Sequence, residues 1–142
     1  MLPEEGWEAV FTMHSFYREE DGESKRLGVV KEILDACKKG DKISKTYYEG
    51  DFEVSVDVDF GKRNKVGIIA VLAGHHHKDF SAYTESGIPV IFTGNVIMYD
   101  YDVPRIDGTP SELLFDIVTI DKKNRKIYTT RIGAGEDREF TY

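Results

Sequence analysis

The sequence predicts an α+β fold, a mixed or antiparallel sheet with helical cover. Three observations carry this expectation. Strand-like stretches outnumber helix-like ones, and the single clear helix lies between strands. In addition, the run Val66–Ala73 is apolar on both alternating faces, which places it deep inside the sheet, with helical cover on one face.

The elements follow in order. Ala9-Val10-Phe11-Thr12-Met13 joins β-branched and aromatic residues into a short buried strand ending at His14. Leu27, Val30, Leu34 and Cys37 recur at helical spacing, with Ile33 beside them and Lys31, Glu32, Asp35, Lys38 and Lys39 opposite. Ser24 can cap the start of this amphipathic helix, and Gly40 can close its end in the left-handed conformation. Cys37 falls on the apolar stripe and reads as a small core hydrophobe. Phe52, Val54, Val56, Val58 and Phe60 alternate with Glu53, Ser55, Asp57 and Asp59, the pattern of a strand with one dry face. Gly61-Lys62-Arg63-Asn64 forms a turn into the apolar strand. Further strands are expected at Pro89–Phe92 and Val96–Tyr99. A last hairpin pairs Leu113–Ile120 with Lys126–Ile132 across Asp121–Arg125. Arg18–Lys25 and Gly40–Gly50 read as loose polar segments, neither of them a domain boundary.

Composition narrows the function classes. A chain of 142 residues is one domain's worth of material, residues 1–142. Hydrophobic residues make up 40% and charged residues 32%, which is globular rather than disordered. No apolar run approaches the roughly 20 residues of a membrane span. One cysteine excludes an internal disulfide framework and a cysteine-cluster zinc site. The first residues lack a signal-peptide pattern, so a cytoplasmic setting is expected. A net charge of −7 argues against broad binding to the nucleic-acid backbone.

Of the four histidines, His75, His76 and His77 are contiguous, and His14 ends a predicted strand. Strand ends are where open sheets place ligands. In an extended segment His75 and His77 share a face and can serve one metal or two neighbouring metals. Neutral imidazole suits zinc, iron, manganese or nickel better than calcium. The plain alternative is a polar surface turn with adventitious metal affinity, with His14 a hydrogen-bonded structural residue. Gly133-Ala134-Gly135 reads as a turn, and Arg105, Arg131 and Arg138 as partners of carboxylates or, alternatively, of an anionic substrate.

Gly74-His75-His76-His77 after the apolar strand resembles the last signature block, Gly-His-x-His, of the calcineurin-like metallophosphoesterases. His14, ending its strand and followed by a helix, resembles the block before it. The tail, from Phe115-Asp116-Ile117 through Arg131-Ile132-Gly133-Ala134-Gly135-Glu136-Asp137-Arg138, is similar to the C-terminal end of bacterial and phage-associated members. The family's first three blocks, Asp-x-His, Gly-Asp-x-x-Asp and Gly-Asn-His, do not occur, and Gly94-Asn95 is followed by Val96 rather than histidine.

The resemblance implies the C-terminal half of a phosphoesterase in which two metals about 3.5–4 Å apart clamp a phosphoryl group. By carry-over, His14 and His75 bind one divalent transition metal and His77 the other, with His76 at the variable position. Asp79 is a candidate to orient His77 from behind, with a solvated carboxylate as the simpler reading. The absent blocks carry the bridging carboxylate, so the isolated chain is expected to be inactive or only partly metallated. Asp57, Asp59 or Asp79 could substitute only without support from spacing. Half of the family's β-sandwich would leave an apolar sheet face or edge bare. The chain in isolation is therefore expected to pair with itself, as a homodimer or larger assembly; the alternatives are pairing with a chain carrying the missing blocks, or repacking. Two other functions compete: a non-catalytic assembly module of phage or prophage type with vestigial histidines, and a small three-histidine metal-binding protein.

Overall fold

The most apolar stretch of the sequence becomes the innermost strand of the molecule. The computed structural model describes residues 6–16, 25–49, 51–62, 67–96 and 103–142. Among them the chain runs β1 (Glu8–Met13), α1 (Lys25–Lys39), β2 (Lys42–Glu49), β3 (Phe52–Asp59), β4 (Gly67–Ala73), β5 (Phe80–Tyr83), β6 (Pro89–Phe92), β7 (Leu114–Asp121), β8 (Lys126–Gly133) and β9 (Arg138–Thr141). The strands form a four-stranded sheet in the order β1-β4-β6-β5, a β2-β3 hairpin and a three-stranded β7-β8-β9 sheet. In the largest sheet β1, β4 and β6 are parallel and β5 is antiparallel to β6.

Two cores sandwich this sheet. Ile68, Val71, Ala73, Val90 and Phe92 face α1, where Val30, Leu34 and Cys37 meet them together with Phe11 and Met13 of β1. Ile69, Ala70, Leu72 and Ile91, with Val10, face the β7-β8-β9 sheet and pack on Ile120, Ile127 and Phe140. Strict alternation cannot put Ile69 and Ala70 on one side. A register shift does so: Ala9 pairs with Ile68 but Val10 pairs with Ala70, which makes Ile69 the extra residue of a β-bulge. The bulge gives both faces of β4 a full set of aliphatic side chains.

The helix is fixed from its polar side as well. Asp35 is buried and accepts from the backbone N–H and the hydroxyl of Ser86, which tie α1 to the β5–β6 turn. Burial by itself would push the Asp35 carboxyl up; hydrogen bonds from Ser86 and Thr84 and the Lys31 charge outweigh it and hold the carboxyl low. At its other end Gly40 closes the helix at φ +76°, as the sequence predicts.

The expectation of an α+β fold with helical cover, half of a metallophosphoesterase sandwich, is corrected. The described residues are mostly β, arranged as three small sheets with one α-helix. Two sequence segments account for the difference. Gly40–Gly50, expected to be loose, holds β2, whose Thr46, Tyr47 and Tyr48 favour strand and pair in full register with β3. The tail, expected as a hairpin, adds β9 and forms a separate three-stranded sheet that covers the face of the central sheet away from the helix. Because that layer seats on the central sheet, the bare face anticipated for a half-sandwich does not arise there. The dry face expected for β3 is also only partly dry: Phe52 and Val54 are 76% and 53% exposed. The helix cap at Ser24, the loose segment at 18–24 and most of the strand expected at Val96–Tyr99 lie outside the described residues.

The β7–β8 hairpin leaves through Gly133 at φ +97°, where a Cβ would overlap the Leu113 carbonyl. Gly108 also has positive φ, +70°, but open space around it. Gly133→Ala should therefore cost at least about 1–3 kcal/mol of unfolding free energy in urea titrations, and Gly108→Ala clearly less. Equal losses would remove the steric argument.

Candidate functional site

The parallel strands β1, β4 and β6 end level with one another. Met13 pairs with Ala73, and Ala73 with Phe92. The ladder continues one step beyond: the Gly74 N–H donates to the His14 carbonyl at 3.1 Å, and the Thr93 N–H to the Ala73 carbonyl at 3.1 Å. His14, Gly74-His75 and Thr93-Gly94 thus emerge side by side at the carboxyl edge of a sheet, where open sheets bind ligands.

Here two of the sequence-predicted residues meet. His75 Nδ1 lies 3.0 Å from His14 Nε2 although the residues are 61 positions apart. Their rings are edge to face, 5.0 Å between centres, and both are exposed. One proton shared between the nitrogens makes this an N–H···N hydrogen bond. The same separation fits two corners of a metal site: nitrogens about 2.0–2.1 Å from zinc, at angles of roughly 90–110°, stand about 2.8–3.4 Å apart.

His77 does not join them in the way an extended segment requires. His75 and His77 have φ of +71° and +57°, so 75–78 is a tight bend and the alternation rule does not apply to it. Among the described residues, no set of three or more His, Cys, Asp or Glu side chains is placed to hold a metal. His76 turns inward, with its ring 5.3 Å from that of Phe92 and 5.9 Å from that of Phe80. The His77 carbonyl borders Gly94. Left-handed φ at non-glycine residues costs about 1–3 kcal/mol each and clusters at functional sites. Something must hold the bend.

Asp79, the residue after the bend, is tied into the C-terminal sheet rather than standing as a solvated carboxylate. Its side chain is 20% exposed, with Oδ2 2.6 Å from Arg131 Nη2 and Oδ1 accepting from the Gly94 N–H at 3.0 Å. Arg131 is in turn buried, its side chain 2% exposed, and donates to Asp116 Oδ1 at 2.8 Å and to the Ala134 carbonyl at 2.7 Å. Arg138 bonds Asp116 Oδ2 at 2.8 Å and the Phe92 carbonyl at 2.9 Å, while the Thr93 hydroxyl also donates to Asp116 at 2.8 Å. Two arginines and two aspartates form a neutral network under the strand ends. Gly135 completes it, since a Cβ there would collide with the Arg131 guanidinium. The glycine-rich stretch is a turn shaped around an arginine.

Charge states follow from these contacts. Burial would raise the Asp116 carboxyl, but hydrogen bonds from Arg131 and Thr93 and the charges of both arginines hold it below the usual carboxylate range. Burial would likewise lower the Arg131 guanidinium, and its bonds to Asp116 and Asp79 raise it instead. Asp116 and Thr93 did not stand out in the sequence, yet one signal was available. Hairpin register places Asp116 directly opposite Arg131.

The remaining candidates fall elsewhere. Arg105 donates to the carbonyls of Asn95, Val96 and Glu112 and so clamps the loop after β6. Asp57 sits 3.5 Å from Lys42, and Asp59 accepts from the Gly61 N–H. Among the described residues the Asn95 Oδ1 is buried beside the strand ends without a hydrogen-bond partner. No helix among the described residues is long and apolar enough to cross a membrane. Compared with protein-family models, curated proteins and solved structures, the chain matches none.

Because the Asp116 carboxyl is depressed in the folded state, the unfolded chain takes up its proton first as pH falls. The stability it contributes is complete above the ordinary carboxylate pKa, 3.8, and is lost as pH drops through the lower folded value. The thermal midpoint should hold steady from neutral pH down to about 5, where carboxylates remain ionised, and then fall. Asp116→Asn should lower the midpoint at neutral pH and flatten this acid limb. An unchanged limb in the variant would show that other carboxylates set it.

Proposed function

We propose that this chain supplies part of a metal-dependent phosphoesterase centre, with His14 and His75 as ligands of one divalent transition metal and His77 as a ligand of its neighbour. The observation that carries the reading is the 3.0 Å approach of His14 Nε2 to His75 Nδ1 at the carboxyl ends of adjacent parallel strands. The spacing suits two cis ligands, the rings are reachable from solvent, and the strained bend that presents His75 is the kind of backbone that functional sites retain. When bound, such metals polarise phosphoryl oxygens and make water a nucleophile near neutral pH. What this chain contributes is three imidazoles, two of which, His14 and His75, it holds side by side. The bridging carboxylate and the other ligands come from a segment or partner chain bearing the Asp-x-His, Gly-Asp-x-x-Asp and Gly-Asn-His blocks, and the substrate is a phosphate ester. A second copy of this chain would add histidines but no bridging carboxylate block.

A second reading has one observation in its favour. A distance of 3.0 Å is also that of an ordinary imidazole hydrogen bond, so the pair can be a structural latch in a non-catalytic assembly module. Calorimetric titration with Zn²⁺ and Mn²⁺ separates the two. Binding weakened at least about tenfold by His14→Ala and by His75→Ala is expected, with no turnover of p-nitrophenyl phosphate by the chain alone. Metal binding indifferent to both substitutions would leave the latch.

A further inference from the structure

We propose that Asp79 and Arg131 are positioning residues, which set the conformation of the histidine bend from the C-terminal sheet. The inference rests on the reading of His14 and His75 as a ligand pair, and adds how that pair is held.

Asp79 immediately follows the bend 75–78 and its two oxygens point different ways. One accepts from the Gly94 backbone at the end of β6; the other meets Arg131 on β8, 52 positions away. Arg131 cannot follow a shift of the bend. Nε is held by Asp116 and Nη1 by the Ala134 carbonyl, and the guanidinium lies against Gly135, where no Cβ would fit. Its backbone N–H is bonded as well, to Asp137 at 2.7 Å. The guanidinium therefore offers Asp79 a single fixed donor. Arg138 adds a second positive charge 3.7 Å from the other Asp79 oxygen.

The bend on the other side of Asp79 carries left-handed φ at both His75 and His77. Released from its anchor, such a segment relaxes toward ordinary backbone angles, and a small rotation at His75 separates Nδ1 from His14 Nε2. His14 directly follows β1, and its carbonyl accepts from the Gly74 N–H before the bend begins. One ring of the pair thus depends on the strand and the other on the clamp. Partners behind metal ligands are typically worth 10–100-fold in metal affinity.

The test uses the whole chain and two measurements. On metal-free protein, NMR cross-relaxation between the His14 and His75 ring protons reports the pair directly. It should be present in the wild type, lost in Asp79→Ala and weakened in Arg131→Lys, which keeps the charge but not the fork. Asp79→Asn, which can still accept from Gly94, should fall between wild type and Asp79→Ala and covers the case in which the alanine variant fails to fold. Ile127→Val, a core change in the same C-terminal sheet, lowers the unfolding midpoint without touching the clamp and should keep the cross-peak. Zinc affinity, read by competition with a chromophoric chelator, should drop 10–100-fold in Asp79→Ala and stay level in Ile127→Val. Ring contact that survives in both Asp79 variants overturns the clamp. Wild type that shows the contact yet takes no zinc overturns the metal reading and leaves the clamp standing.

Discussion

The structure depends on one buried arginine. Arg131 brings a full charge into a region where its side chain is almost sealed from water, and an ion in that position is tolerated only with paired and hydrogen-bonded neighbours. Asp116 and Asp79 provide the counter-charges, and the Ala134 carbonyl takes another N–H. Those partners come from β7, from the segment after the histidine bend and from the turn after β8. Satisfying one guanidinium therefore fixes how the C-terminal sheet sits under the parallel strands. Arg138 repeats the device, joining Asp116 to the last carbonyl of β6. The apolar contacts between the sheets supply most of the stabilisation, but they are non-directional. The charged bonds set the register between the layers.

That register explains why a sheet rather than helices covers the second face. Aliphatic side chains on both sides of β4 demand two covers, and α1 can supply only one. The bulge at Ile69 widens the second face, where Ile127 and Phe140 pack. The β2-β3 hairpin stays outside both cores and leans on the helix through the Lys45 and Tyr47 bonds to Glu32. Burial and the Glu32 charge push the Tyr47 hydroxyl up to about 12, so it remains a donor in that bond.

At the carboxyl edge, the strands and the network divide the work. Parallel pairing brings His14 beside Gly74 through main-chain bonds alone. The His75 ring that meets His14 is presented from a bend with left-handed angles, and Asp79, the residue after the bend, is bonded to Gly94 and Arg131. A site whose two imidazoles rest on different supports can be tuned at one without disturbing the other.

Much of this was legible in the chain. The helix from its 3.6-residue stripe and the Gly40 stop, the apolar strand, the Pro89–Phe92 strand and the last hairpin all follow from local periodicity and turn chemistry, which short segments carry within themselves. The meeting of His14 with a residue of the histidine run followed from their places at two strand ends. What sequence could not fix were properties of several segments at once. The polar residues 42–49 became a strand because β3 offered partners, and the tail became the second cover because the central sheet had an open apolar face. Asp79 read as a solvated carboxylate or a partner behind His77, and its bond to Arg131, 52 positions away, was not legible in the sequence. Periodicity records which face a residue prefers; only tertiary packing decides which distant charge or layer meets that face, because that choice depends on the summed energy of contacts no single segment contains.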